Sequence, residues 1–175
     1  MVNFETPNIL VVASHIGDFV WRSGGSIAKY AANGSSVKLV IVSDGLRGEA
    51  NDYWKQDGAN EGEGHIRRRA EGSQAAKILG VETVDFWGLQ DYPLELTASH
   101  VEKLAHIIRE FRPDLILTHA VFDAFNPDHN AVHQLVVKAY ACASGAGFRD
   151  EFPVSPRQTP IFGFEPHCTE ISKFE

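Results

Sequence analysis

Cysteine is nearly missing from this chain: there are two, Cys142 and Cys168, in 175 residues. That is too few for a disulfide framework and suggests a reducing compartment, so a cytoplasmic location is expected. Positive charge is also scarce, with 16 Lys+Arg against 23 Asp+Glu and a net charge of −7. Non-specific nucleic-acid binding needs a positive field, so that class of partner is not expected. An acidic substrate stays open, because a few local arginines can grip an anion on an acidic protein. No apolar stretch approaches the roughly 18 residues of a membrane-spanning helix, so no membrane partner is expected either. Glu5 stands ahead of the first apolar run and no basic residue does, which does not read as a signal peptide. The chain lacks internal repeats, low-complexity tracts and any linker suggesting a second domain.

What remains is an ordinary globular composition, 43% hydrophobic and 22% charged, with a surplus of eight histidines. A chain of this size buries about 70% of its unfolded surface, enough for a core without staples. A single domain over residues 1–175 is expected. Its apolar pattern alternates between short β-rich runs and longer helical ones. Strands are expected at Asn8–Ala13, Val37–Val42, Val84–Trp87, Asp114–Thr118 and Ile161–Phe164. Helices are expected at Phe19–Asn33 before Gly34, His65–Leu79 before Gly80, and Ala98–Phe111 before Pro113. A fourth opens at Asn126-Pro127, with Asn as N-cap and Pro at N1, and runs to about Ala143. Residues 44–64 read as a long polar functional loop, and residues 148–160 as a Pro-containing one. Together these give an α/β fold: a three-layer, Rossmann-like, open and mainly parallel sheet with helices on both faces.

In such folds ligands bind outside the carboxyl ends of the strands. There the sequence places Ser14-His15-Ile16-Gly17-Asp18, then Ser43-Asp44-Gly45-Leu46-Arg47-Gly48-Glu49, and finally Thr118-His119 with Asn126-Pro127-Asp128-His129. Sheet stability does not ask for imidazoles and carboxylates along one edge. Two histidines and one carboxylate around a divalent metal would ask for them, and would leave a position open for water or substrate. Catalytic zinc suits that set, and iron or manganese accepts it. His15 and Asp18 converge if the chain turns sharply, with Gly17 free to take an unusual backbone angle. His129 falls at the third position of its helix, near the positive dipole end. A His-x-x-Asp by itself is also common in surface turns.

Other features read more plainly. His133, one turn after His129, suits a supporting or packing role. His65, His100 and His106 have no partner pattern and read as solvated or structural. Arg67-Arg68-Arg69 reads as a charged face before an anion clamp. Arg22 and Arg47 lie beside the proposed site loops, and a planar guanidinium grips a carboxylate at two points. Gly24-Gly25 is not followed by a phosphate-binding pattern, and no G-x-S-x-G occurs.

His15 to Asp18, then Gly24-Gly25, then Asn126-Pro127-Asp128-His129 resemble the LmbE-like, or PIG-L-type, metal-dependent de-N-acetylase superfamily over most of the chain. Its pattern is A-H-P-D-D, a Gly-Gly pair, and H-P-D-H. The resemblance implies that His15, Asp18 and His129 bind the metal, in agreement with the loop positions. Two departures stand out. The aspartate serving the deacetylases as general base is Gly17 here, and the histidine polarising the amide oxygen is Asn126. Glycine takes no proton, so simple deacetylation is disfavoured. The same substitutions mark the 4-oxalomesaconate hydratase branch, which the chain resembles at His15–Arg22, Arg47-Gly48-Glu49, Asp91-Tyr92-Pro93-Leu94 and Phe164-Glu165-Pro166-His167.

That branch implies a zinc-dependent hydratase of aromatic-acid degradation, adding water to the C=C bond of an unsaturated oxo-carboxylic acid. Glu49 is then the base, and Arg22, Arg47, His119, Asn126 and His167 are candidates for holding the substrate's carboxylates. A small anionic carboxylate and further copies of this chain are the expected partners. The alternatives are a metal-dependent hydrolase of an N-acetyl or other C–N bond, and a metal-binding protein without catalysis. Superfamily members usually continue past the position of Glu175, so a chain lacking C-terminal helices is expected. Phe162, Phe164 and Phe174 would then face either the core or a partner subunit.

Overall fold

Ile9–Ala13 is an uninterrupted apolar stretch, and such a strand is stable only when both of its faces are covered. In a computed structural model describing residues 6–156 and 158–166, it forms β1 (Ile9–Ala13), buried along its whole length. On either side lie β2 (Val37–Ser43), β3 (Thr83–Leu89), β4 (Leu115–His119) and β5 (Ile161–Phe164). The order is β3-β2-β1-β4-β5, and every neighbouring pair is parallel. The expected α/β class and its parallel sheet are as observed.

The pleat splits β1 between two cores. Leu10 and Val12 pack with Val40, Val42 and Ile116 beneath α4 (Ala98–Phe111) and α5 (Pro127–Ala143), through Leu104, Ile108, Val132 and Val136. Ile9, Val11 and Ala13 pack on the opposite face with Leu39 and Ile41. That face is covered by α1 (Asp18–Ala32), through Phe19 and Ile27, and by α3 (Glu61–Ile78), through Ala76. Burying a side chain the size of Phe19 or Leu10 contributes about 1.5–3 kcal/mol each. Residues whose Cβ atoms alternate across the strand thus bind helices to both faces.

Helix ends follow their local signals. Asn126 caps α5, its side chain accepting from His129 N, and Pro127 follows in the first turn. Thr97 and His100 close a reciprocal capping box on α4. The polar loop after β2 differs from expectation. It contains the short helix α2 (Asn51–Trp54), and α3 begins at Glu61 because Asn60 accepts from Glu63 N at 3.0 Å. Gly17 also differs: its φ of −79° is ordinary helical geometry, so the turn from His15 to Asp18 needs no glycine conformation. Gly24-Gly25 lies inside α1, which leaves no phosphate loop there.

Arg67 and Arg68 pair with Glu71, while Arg69 Nε donates to buried Asp44 Oδ2 at 2.8 Å, so the charged run ties α3 to the loop after β2. His65 reaches the same Asp44 oxygen at 2.7 Å, and His106 pairs with Asp150. Buried Arg109 donates to the carbonyls of Ala143, Gly145 and Phe152, satisfying the carboxyl end of α5. Phe164 is buried, its ring meeting His119 edge-on, while Phe162 is exposed. Cys142 is a free thiol. Cys168 and Phe174 lie outside the described residues. Among the described residues, no helix is long and apolar enough to cross a membrane.

Candidate metal centre

The chain proceeds outward from β1 through β2 to β3, then returns to place β4 on the other flank of β1. Such a reversal opens a crevice at the carboxyl ends of the two central strands. His15 follows β1 there, Asp18 opens α1, and His129 enters from the first turn of α5. One ligand atom from each of these three buried residues lies within 4.8 Å of the others. Asp18 sits between the rings, its Oδ2 3.4 Å from His15 Nδ1 and its Oδ1 3.3 Å from His129 Nε2. The turn is fixed by His15 N, which donates to Asp18 Oδ2 at 2.7 Å.

Each histidine has a carboxylate behind its other nitrogen. His15 Nε2 donates to Asp128 Oδ2 at 3.2 Å, and His129 Nδ1 to Asp123 Oδ2 at 3.0 Å. A carboxylate can only accept, so a proton of each ring sits on the side away from the cluster. Nδ1 of His15 and Nε2 of His129 then face Asp18. Buried His15 Nδ1 makes no hydrogen bond. A carboxylate–histidine pair with the second ring nitrogen aimed at a shared acid is how proteins orient metal-binding imidazoles. The donor set fits a divalent ion.

Electrostatics describe the same cluster. Burial works against a charged His15, but Asp128, Asp18 and Glu49 outweigh it and push its pKa up to about 9. Burial would also raise Asp18, yet the adjacent His129, His15 and His119 rings hold its carboxyl well below the usual range. Asp128 is lowered in the same way, burial being overcome by His15 and the N–H groups of Tyr92 and Leu94. Three negative carboxylates around two imidazoles make a pocket that attracts a cation.

Glu49 reaches the rim from the loop after β2. Its Oε1 is 3.8 Å from His15 Nδ1 and accepts from Tyr92 Oη at 3.0 Å, and its side chain is 36% exposed, so solvent reaches it. The loop is pinned by buried Asp91, which accepts from Arg47 N and from Gly48 N, the latter at 2.7 Å. Asp91, Tyr92 and Asp128 stand in the sequence motifs without a role, and Asp123 lies outside them; all four contact the site. Asp128 was adjacent to a candidate ligand but serves the other histidine.

The candidate carboxylate-holding residues divide. Arg47 is exposed and Arg22 half-buried, the latter donating to Glu165 O at 3.2 Å. His119 is 2% exposed, its Nε2 accepting from Ser14 N at 2.9 Å and lying 3.5 Å from Asp18 Oδ2. Burial pushes its pKa down to about 3, with nearby His129, His15 and Arg22 adding to this against the pull of Asp18. It is a neutral ring stacked under His129, centroids 3.9 Å apart. Both ends of the buried Asn126 amide are in use, one on His129 N and the other donating to Tyr92 Oη at 2.6 Å. His133 Nδ1 donates to His119 O at 2.8 Å, a packing role. His167 lies outside the described residues.

Fold and cluster define an α/β domain with a candidate metal centre at its topological switch point. The chain belongs to the GlcNAc-PI de-N-acetylase (PIG-L) family, whose pattern matches residues 10–140. It is 35% identical over 172 residues to 4-oxalmesaconate hydratase of Pseudomonas putida KT2440, covering 96% of this chain and 65% of that protein. It is 30% identical over 184 residues to a 1D-myo-inositol 2-acetamido-2-deoxy-alpha-D-glucopyranoside deacetylase of Mycobacterium leprae, covering 90% and 59%. The crystal structure of GalB, the 4-carboxy-2-hydroxymuconate hydratase of Pseudomonas putida KT2440, superimposes with a TM-score of 0.87 at 34% identity. That match covers 92% of this chain and 67% of that one. The N,N'-diacetylchitobiose deacetylase of Pyrococcus horikoshii shares the fold, with a TM-score of 0.80 at 23% identity over 91% and 61% of the two chains. The chain therefore spans about 65% or less of the length of these two sequence relatives. Both hydratases and deacetylases occur among its relatives, so it is a member of an enzyme family.

Proposed function

We propose that this chain is a metal-dependent hydratase that adds water to the C=C bond of a small unsaturated oxo-carboxylic acid resembling 4-oxalomesaconate. His15, Asp18 and His129 would hold the ion, with zinc the metal best matched to two imidazoles and a carboxylate. Once bound, that ion supplies Lewis acidity toward an oxygen of the oxo-acid. Glu49 takes the proton of the incoming water as its oxygen bonds to one alkene carbon. The π electrons move toward the oxo group, and the proton then passes to the neighbouring carbon, which restores the carboxylate. Arg22 and Arg47 are the cations at hand for the substrate's carboxylates.

The observation that carries this reading is the place of Glu49. It is partly solvent-exposed and 3.8 Å from His15 Nδ1, while position 17, occupied by the base in deacetylases of the family pattern, is glycine. The 35% identity to a hydratase supports it further. The test is Glu49→Gln in metal-loaded protein, offered unsaturated oxo-diacids and tricarboxylates with loss of the conjugated ultraviolet band as the readout. Removing a general base costs about 10²–10⁴ in rate, with metal stoichiometry unchanged. Full turnover in that variant would refute the assignment. Amine release from an N-acetyl sugar, without any loss of the conjugated band, would transfer the chain to the deacetylases.

A further inference from the structure

The segment after β3 has no part in the proposed chemistry so far, yet it touches His15, Glu49, Asn126 and Asp128. Asp91 holds the N–H groups of Arg47 and Gly48, the two residues before Glu49. Tyr92 N donates to Asp128 Oδ2 at 2.9 Å, behind His15. The ring of Tyr92 stacks on the imidazole of His15, with centroids 5.4 Å apart and planes 7° from parallel. The same ring lies so close to Gly48 that a Cβ there would run into its Cδ2 and Cε2 atoms. Only glycine leaves room for this ring, and Tyr92 itself adopts φ +41°, a conformation uncommon for a bulky side chain. An unfavourable backbone angle and a close glycine contact are both spent on placing one phenol.

The hydroxyl of that phenol has one proton, and the surrounding groups decide where it points. Asn126 Nδ2 donates to Tyr92 Oη at 2.6 Å, filling an acceptor site on the oxygen. The proton of Tyr92 is therefore directed to its other neighbour, Glu49 Oε1, 3.0 Å away. Asn126 is in turn oriented by its own carbonyl, which caps α5 at His129 N. A relay thus runs from the helix bearing His129, through Asn126 and Tyr92, to Glu49. It ties up Oε1, while Glu49 Oε2 takes no hydrogen bond from the described residues.

We propose that Tyr92 is the positioning residue for Glu49: its hydroxyl, locked by Asn126, fixes one carboxylate oxygen so that the other faces the reacting water. The proposal rests on the reading of Glu49 as the base, and it gives Asn126 a role that imidazole at that position would not fill in the same way. The phenol acts through Glu49, not on substrate.

The test compares wild type, Tyr92→Phe, Glu49→Gln and the double variant, all metal-loaded. Phenylalanine keeps the stack on His15 and the contact with Gly48, so metal stoichiometry should stay as in wild type, while the melting temperature falls because buried Asn126 Nδ2 loses its acceptor. A carboxylate freed to swing by about 1 Å loses on the order of 10²-fold in rate. The expected result is a fall of about 10–100-fold in kcat with KM within twofold. Adding Tyr92→Phe to Glu49→Gln should cost no further turnover, because Glu49 is the group to which the tyrosine donates its proton. A kcat within twofold of wild type, or fully multiplicative losses in the double variant, would overturn the proposal.

A second readout does not depend on turnover. In protein labelled with ¹³C-glutamate, the Glu49 carboxyl resonance, assigned by its disappearance in Glu49→Gln, should move in Tyr92→Phe. If the wild type hydrates no offered acid but this resonance moves, the functional reading falls and the positioning stands. If the resonance stays put, the positioning falls whatever the enzyme does.

Discussion

Replacing Asp128 by Asn isolates the part of the site that holds His15 without touching any proposed ligand. Asp128 Oδ2 accepts from both His15 Nε2, at 3.2 Å, and Tyr92 N, at 2.9 Å, while Oδ1 accepts from Leu94 N at 3.0 Å. An amide has one acceptor oxygen where the carboxylate has two, and neither orientation serves all three donors. With the oxygen in the Oδ2 position, an NH₂ confronts buried Leu94 N–H. In the flipped orientation it confronts both His15 and Tyr92. Leaving one buried donor without a partner costs about 1–3 kcal/mol of stability. Loss of the negative charge behind the ring also makes His15 a weaker ligand. Changes to such outer partners lower metal affinity about 10–100-fold, equivalent to about 1.4–2.8 kcal/mol. Titration of metal-free protein with zinc against a chromophoric chelator measures the affinity, and thermal melting of the same samples measures the stability. Affinity within twofold of wild type would refute the inference that Asp128 prepares His15 for an ion.

The raised pKa of His15 makes a prediction about pH. Its folded value, about 9, lies above the ordinary 6.5, so the metal-free protein gains stability from protonated His15 fully below about 6.5 and loses it as the pH climbs through 9. For metal uptake the direction reverses: below about 9 the ion must displace that proton, so apparent affinity falls about tenfold per unit of acidification. Calorimetry at pH 7 in two buffers of different ionisation enthalpy should report about one proton released per ion, and a heat independent of buffer would contradict this. Far from the site, Arg109→Met should leave the carbonyls of Ala143, Gly145 and Phe152 without their donor. A destabilisation of about 1–3 kcal/mol, read from denaturant unfolding, is expected with no change in metal binding.

The parts legible in the sequence are those governed by local rules. The apolar continuity of Ile9–Ala13 identified a central strand, and Asn126-Pro127 marked the start of α5, because burial on two faces and helix capping leave direct marks on residue choice. His15, Asp18 and His129 were found because the carboxyl edge of a parallel sheet gathers whatever follows each strand. What stayed hidden depends on ring orientation and backbone angle. Asp128 precedes His129 in the chain but supports His15, 113 residues away, and no spacing rule discloses that pairing. His119 was a candidate for holding a substrate carboxylate, and nothing in its spacing told that its Nε2 accepts from Ser14 N and its ring stacks on that of His129. Residues 44–64 looked like an open loop because their polar composition concealed the Asn60 cap and the four-residue α2.

Gly17 and Asn126 change meaning once the geometry is considered. Gly17 has a helical φ, and a Cβ there would meet only the Trp21 ring, at an ordinary 3.5 Å, so neither backbone nor packing demands glycine. Its consequence is chemical: no carboxylate stands at that point, and any proton transfer must come from another direction. Glu49 supplies a carboxylate from the loop after β2, but Arg47 and Glu49 in that loop are exposed, and their side chains would wander without support. Asp91 anchors its backbone and Tyr92 its side chain, while Asn126 sets the direction of the Tyr92 hydroxyl. A base moved from a helix start to a loop needs rigidity imported from its neighbours. With Glu49 as the proposed base, the two departures from the deacetylase pattern become one change: removal of a carboxylate at position 17, and an amide at 126 that steadies its replacement.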